Sequence, residues 1–131
     1  MKSSGVIYVS RLMNCDVRSP DGETIGKLIE LVIDAELGRA AYAVIKASGG
    51  SLKSGRLFAV PCGALQLSED ESGLILDVDK DSLHNVAASN KGSWPDMSDR
   101  RWGNSVHAFF EITPYWEDEG HEASAWRDDT P

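Results

Sequence analysis

Apolar residues in the first two-thirds of this chain come in short bursts that alternate with polar ones, separated by glycine, proline and acidic turns. Such a pattern predicts a meander of strands rather than a bundle of helices. Val6–Val9 is the first candidate strand, followed by a single helical turn over Ser10–Met13 and extended chain from Asn14 to Arg18. Ser19-Pro20-Asp21-Gly22 then predicts a turn: proline presets φ, aspartate caps the loop and glycine accepts positive φ. Over Thr24–Asp34, alternation puts Ile25, Ile29, Leu31 and Ile33 on one face and Glu30 and Asp34 on the other. Lys27 interrupts the apolar face, and Gly26 beside it predicts a bulge or sharp bend.

Ala35–Arg39 has the length of a hairpin loop. The next strand, Ala40–Ala47, is apolar on nearly both faces, as expected in the middle of a barrel wall. The glycine-rich connection Gly49–Gly55 leads to Leu57–Val60, after which Pro61 removes a ladder donor and forces a turn or an edge. Ala64–Leu67 and Leu74–Val78 form the last pair, with Leu74, Leu76 and Val78 alternating toward a core. Lys80–Asn85 predicts a short closing helix and Ala88–Ser93 a linker.

Beyond the linker the pattern changes and large aromatic residues concentrate. Trp102, Val106, Phe109 and Phe110 have the spacing of one helix face, with Ser98 or Asp99 as N-cap and Pro114 as the stop. From Glu117 to Pro131 there are six acids against one arginine, which predicts a mobile tail. The expected organisation is a barrel over 1–88, an aromatic extension over 89–116 and an acidic tail over 117–131.

Composition narrows the classes. The chain has 131 residues, 41% hydrophobic and 26% charged, as in soluble globular domains, and needs no disulfide staples at this length. The longest apolar run, Ala40–Ile45, is far short of the ~20 residues of a membrane span, and the N-terminus shows no signal peptide. A cytoplasmic location is the expectation. A net charge of −8 argues against a nucleic-acid partner, which draws on clustered Lys and Arg. Cys15 and Cys62 are too few for a disulfide scaffold or a four-cysteine zinc site, and are expected to pack as small hydrophobes.

Candidate chemistry is sparse. Gly50–Gly55 with Arg56-Leu57 has the glycine spacing of a phosphate loop, but Arg stands where Lys is required and Leu where a hydroxyl is required. His84, His107 and His121 form no short-spaced ligand pair; His107 and Glu111, at i and i+4, are expected to make a surface ion pair. Asp96, Asp99, Arg100 and Arg101 read as capping and local salt bridges. Asp77 and Asp79 would face solvent, without the desolvation that raises a carboxyl pKa. No nucleophile–base pair is identifiable, so neither an enzyme, a cofactor nor a metal is expected. The remaining candidates are the large side chains Trp94, Pro95, Met97, Trp102, Phe109, Phe110, Tyr115 and Trp116. They could cover the open end of the barrel as a second layer of core, or anchor a subunit or partner interface, where Trp and Tyr are favoured.

The order Gly22, Ile25-Gly26-Lys27, Asp34, Gly38, Tyr42-Ala43-Val44, Gly49-Gly50, Phe58-Ala59-Val60-Pro61 and Leu65 resembles the PRC-barrel family. These are small β-barrels found in the photosynthetic reaction centre H subunit and the ribosome maturation factor. Trp94-Pro95-Asp96-Met97, Asp99, Trp102 and Pro114-Tyr115-Trp116 also look like the extension of short bacterial members. Cys62 departs from the family, which often has Trp after this proline. The reaction-centre membrane helix and the N-terminal domain of the ribosome factor find no counterpart here, so neither role is expected. The resemblance implies a small closed or partly open antiparallel barrel with a short helix, acting as a non-catalytic adaptor that docks on a larger assembly or self-associates. The expected partners are an unidentified protein or a second copy in a homodimer. The alternative is a small-ligand or metal-binding module using the barrel mouth, near His84 or the Gly49–Gly55 loop.

Overall fold

The computed structural model describes residues 6–48, 55–68, 72–78, 88–89 and 95–117. The expected helix over Lys80–Asn85, the residues 49–54 of the glycine-rich connection, His84, His121, Trp94, Asp79 and the acidic tail beyond Glu117 lie outside them.

Seven strands are present among the described residues: β1 (Asp16–Arg18), β2 (Thr24–Asp34), β3 (Arg39–Ala47), β4 (Leu57–Pro61), β5 (Leu65–Leu67), β6 (Leu74–Leu76) and β7 (Ala88–Ser89). Two helices flank them, α1 (Val9–Leu12) and α2 (Arg100–Phe109). The strands form one sheet in the order β5-β6-β1-β2-β3-β4-β7, a partly open barrel. Its neighbours are antiparallel except β1 and β6, which run parallel through Val17↔Leu74 and Arg18↔Ile75. That pairing brings the last hairpin back onto the first strand, a long-range contact that strand periodicity does not encode. Val6–Val9 is not a strand: Val9 opens α1 instead, and Val6 and Tyr8 are exposed.

The predicted turn after β1 forms as its residue types dictate. Ser19 N–H donates to the Glu23 carbonyl, Gly22 N–H donates to the Ser19 carbonyl, and Gly22 takes φ +93°. Gly26 marks the expected bulge. Opposite β1, Val17 pairs with Gly26 and Arg18 with Thr24, leaving Ile25 as the extra residue. A Cβ on Gly26 would overlap the Lys46 carbonyl oxygen of β3, so the close approach of β2 and β3 requires a residue without one. A second irregularity lies between Leu28↔Ile45 and Glu30↔Val44, and a third between Val32↔Tyr42 and Ile33↔Ala40.

The first two irregularities add Ile25 and Ile29 to β2 and rephase it, and the third adds Ala41 to β3, so the strict alternation of side chains breaks. Ile25 and Leu28 are fully buried, Leu31 packs against the core, and Ile33 is 45% exposed. The single apolar face expected from Ile25, Ile29, Leu31 and Ile33 is therefore not what the strand presents.

The interior is filled by Leu12, Val17, Ile25, Leu28, Ala43, Ile45, Phe58, Val60, Leu65, Leu74 and Leu76, with Cys62 among them. β3 is buried on both faces, as its composition predicts: Ala43, Ile45 and Ala47 join this interior, while Tyr42 and Val44 face the other way and are also buried. The residue that organises the outer face is Tyr42.

Candidate functional site

Tyr42 is 1% exposed although it points away from the apolar interior cluster. What covers it is α2 and the 3-10 turn Tyr115–Glu117. The Trp102 ring meets Tyr42 edge-on at 4.9 Å between centroids, His107 at 5.6 Å and Tyr115 at 5.8 Å. Trp116 packs edge-on against His107 at 5.3 Å. Edge-to-face contacts at these distances each add about 0.5–1.5 kcal/mol beyond area burial.

The helix that carries this cluster begins as the sequence predicts. Asp99 is the N-cap, its carboxylate accepting from the Arg101 N–H at 2.9 Å. Asp96 accepts from both the Ser98 N–H and hydroxyl, so the acidic group ahead of α2 serves as local capping. The buried face of α2 is not the expected one. Gly103 and His107 are its fully buried residues, whereas Trp102, Val106 and Phe109 are half-buried, roughly a quarter-turn away round the helix. Gly103 sets this rotation. A Cβ there would lie 2.6 Å from the Tyr42 hydroxyl and 2.7 Å from a Trp116 ring carbon, so only glycine lets α2 settle this close.

His107 corrects the sequence reading most. It makes no surface ion pair with Glu111, which stands outside the helix at φ +58°. It is 1% exposed, and both ring nitrogens are used. Nδ1 donates to the Gly103 carbonyl at 2.7 Å, and Nε2 accepts from the Tyr115 backbone N–H at 3.3 Å. Those partners set the neutral, Nδ1-protonated tautomer. Burial pulls its pKa below the ordinary histidine value, against the Gly103 carbonyl and the charge of Glu117.

Asp34, at the end of β2, joins this layer to the barrel. One carboxylate oxygen accepts from the Glu36 and Leu37 N–H groups, closing the β2–β3 hairpin, and the other accepts from the Tyr115 hydroxyl at 2.6 Å. Partial burial pushes its carboxyl up. The hydrogen bonds from Tyr115, Leu37 and Glu36, with the positive Arg100 nearby, outweigh that and hold it below the usual aspartate range. Burial and the Asp34 carboxylate raise the Tyr115 phenol. Arg39 donates to the Tyr115 carbonyl at 3.2 Å. The Arg100 guanidinium lies 4.3 Å over the Trp116 ring and 5.8 Å from the Tyr115 ring centroid.

A recess of about 320 Å³ opens beside these groups. Val32, Ile33, Ala35, Ala41 and Met97 give it apolar walls, and Asp34, Glu36, Ser98, Arg100, Tyr42 and Tyr115 supply its polar groups. It lies at the β2–β3 hairpin and the start of α2, on the side of the sheet that Tyr42 faces.

The structure treats the sequence candidates unequally. Trp102, Tyr115 and Trp116 meet in the Tyr42 cluster, and Met97 lines the recess. Phe110 packs against the barrel interior with Phe109 edge-on to it at 5.0 Å, and Pro95 is half-buried ahead of α2. Tyr42, Asp34, Arg100, Gly103 and His107 were missed as members of this layer. For Gly103 and His107 a signal existed: a small residue and a polar ring four apart on one helix face. For Asp34 and Tyr115, 81 residues apart, none existed.

Neither cysteine among the described residues is activated. Burial pushes the Cys62 thiol up to about 11, and burial with the neighbouring Asp16 raises Cys15, so both stay protonated near neutral pH and are poor nucleophiles. Asp77 is exposed. Among the described residues no three His, Cys, Asp or Glu side chains gather as a metal site, and no helix is long and apolar enough to cross a membrane.

Together these elements define a small, partly open β-barrel whose outer face is covered by a layer of aromatic side chains. The family model for the PRC-barrel domain matches residues 4–83, and the chain belongs to that family. No curated protein matches the sequence.

Proposed function

We propose that this PRC-barrel protein is a non-catalytic interaction module, and that it docks a protein partner at the recess between the β2–β3 hairpin and α2. The observation that carries the reading is Ile33, which is 45% exposed on a strand wall and lines a recess beside Met97. An exposed branched aliphatic at a concave apolar surface is what a partner's apolar side chain would cover. Glu36, exposed on the same rim, favours a basic neighbour beside that side chain. The aromatic rings of the extension serve this reading as a wall rather than as anchors, because Trp102, Tyr115 and Trp116 already contact rings of their own chain.

The test compares affinity capture from the native cell by the wild-type chain and by Ile33→Glu. That change puts a charge at an already exposed position and leaves the interior untouched. Partners retained by the wild type and lost at least tenfold by the variant support the recess. The same set on both would sink it, and light scattering on the two proteins shows whether the lost partner is a second copy. A small-ligand reading is favoured by one observation: the recess volume lies at the lower end of the range for ligand pockets. A thermal-shift screen with metals and quinones separates the two, since a ligand bound to the folded state raises Tm.

A further inference from the structure

His107 ties the Tyr115–Glu117 turn to α2 through the side chain whose ordinary titration falls nearest neutral pH. Phenylalanine or leucine would fill the space between Tyr42 and Trp116 but leave the Tyr115 N–H without this acceptor. Its two hydrogen bonds have opposite consequences on protonation. The Nδ1–H bond to the Gly103 carbonyl survives. The bond at Nε2 does not, because the Tyr115 N–H that donates to it would then face a second N–H.

We infer that His107 is a proton-operated latch: when Nε2 takes a proton from solvent, the Tyr115–Glu117 turn lets go of α2, and the aromatic wall of the recess opens. The inference concerns closure of the chain on itself and stands whether or not the recess has an occupant.

The surroundings favour release over quiet accommodation of the charge. From the turn, Glu117 is the group whose charge favours the cation and it is exposed, while Tyr115 contributes its N–H and an uncharged ring and Trp116 a ring. From β3 come the uncharged Tyr42 and the cationic Arg39, which lies 5.9 Å from the Tyr115 ring centroid. From β2 comes Asp34, already engaged by Tyr115 and the hairpin amides. From α2 itself come the Gly103 carbonyl and the cationic Arg100, which stacks on Trp116, while Arg101 is exposed. A buried cation without a contacting carboxylate is expensive, and a three-residue turn is the cheapest element to displace. Its departure also ends the Tyr115–Asp34 and Arg39–Tyr115 hydrogen bonds.

The sign follows from linkage. The closed form holds His107 with a lowered pKa and the open form returns it to the ordinary value near 6.5, so closure is fully favoured above about pH 6.5. Below that, opening rises about tenfold per pH unit until the pH reaches the closed-state pKa.

The experiment is a pH titration from 7.5 to 4.5 of the whole chain, followed by NMR of the His107 ring and by hydrogen exchange at the Tyr115 amide, corrected for intrinsic exchange. At pH 7.5 the ring should be the Nδ1–H tautomer. Opening at Tyr115 should rise about tenfold per pH unit below 6.5, together with a red shift of tryptophan emission and unchanged far-UV circular dichroism. In His107→Gln, which keeps a donor and an acceptor but cannot titrate, that slope should vanish. The inference is overturned if His107 titrates in the wild type while Tyr115 stays protected. It is equally overturned if the glutamine variant opens along the same pH course. The wild-type titration decides the matter even should the variant fold poorly.

Discussion

Inside the barrel, Ile25, Leu28, Ile45, Phe58 and Leu74 pack together in the apolar cluster, where an apolar side chain of matching volume and shape would serve. On its outer face, Tyr42, His107, Tyr115 and Asp34 are held by rings at set angles and by hydrogen bonds that each need one donor and one acceptor. Both regions are buried, but they differ in what loosens them. Apolar contact is indifferent to pH and fails cooperatively. A polar joint fails one bond at a time, and two of its members, Asp34 and His107, titrate on the acid side of neutrality.

Two glycines make the contrast measurable, because each permits a close approach in one region. Gly26→Ala should have the largest effect. Its new Cβ would strike the backbone carbonyl of Lys46, which can yield only by moving β3, so we expect a loss of about 3 kcal/mol or more in urea unfolding, seen equally by all probes. Gly103→Ala comes next. Alanine should favour the isolated helix by about 1 kcal/mol, yet its Cβ meets the Tyr42 hydroxyl and the Trp116 ring. Those are side-chain ends that can swing aside, so the expected net cost is about 1–3 kcal/mol, confined to the outer layer. Tryptophan fluorescence should change while the barrel transition keeps its midpoint; a loss of both together would show that the layers are one cooperative unit.

Tyr42→Phe should have the smallest effect and the opposite sign. The Tyr42 hydroxyl is buried and has no hydrogen-bond partner among the described residues, and burial pushes its pKa up to about 12. Deleting a buried hydroxyl without a partner removes a desolvation penalty, so the variant should match or exceed the wild type by up to about 1 kcal/mol in thermal unfolding. A clear loss of stability would mean that the hydroxyl makes a bond the ring geometry does not reveal.

Much of the barrel could be read in advance from local chemistry. Ser19–Gly22 forms its turn and Asp99 caps α2 because each depends on residues close in the chain, and the Gly26 bulge and the double burial of β3 follow what their residue types predict. The exposure of Ile33 was not legible. The irregularities around it depend on the partner strand as much as on β2 itself, since the nearest adds its residue to β3. The candidate site was legible in part: Met97, Trp102, Tyr115 and Trp116 were singled out as large side chains with work to do, but not the residues they meet.

Periodicity and turn chemistry by themselves therefore determined the strand meander and the capped aromatic helix, while the family rested on a resemblance in the order of its motifs that the family match bears out. The tertiary structure alone decided that β1 pairs parallel with β6, that α2 turns Gly103 and His107 inward, and that Asp34 holds Tyr115. The reason is range. A turn or a cap is settled by atoms a few residues apart, whereas a helix's rotation and a carboxylate's second partner depend on which distant surface it finally meets.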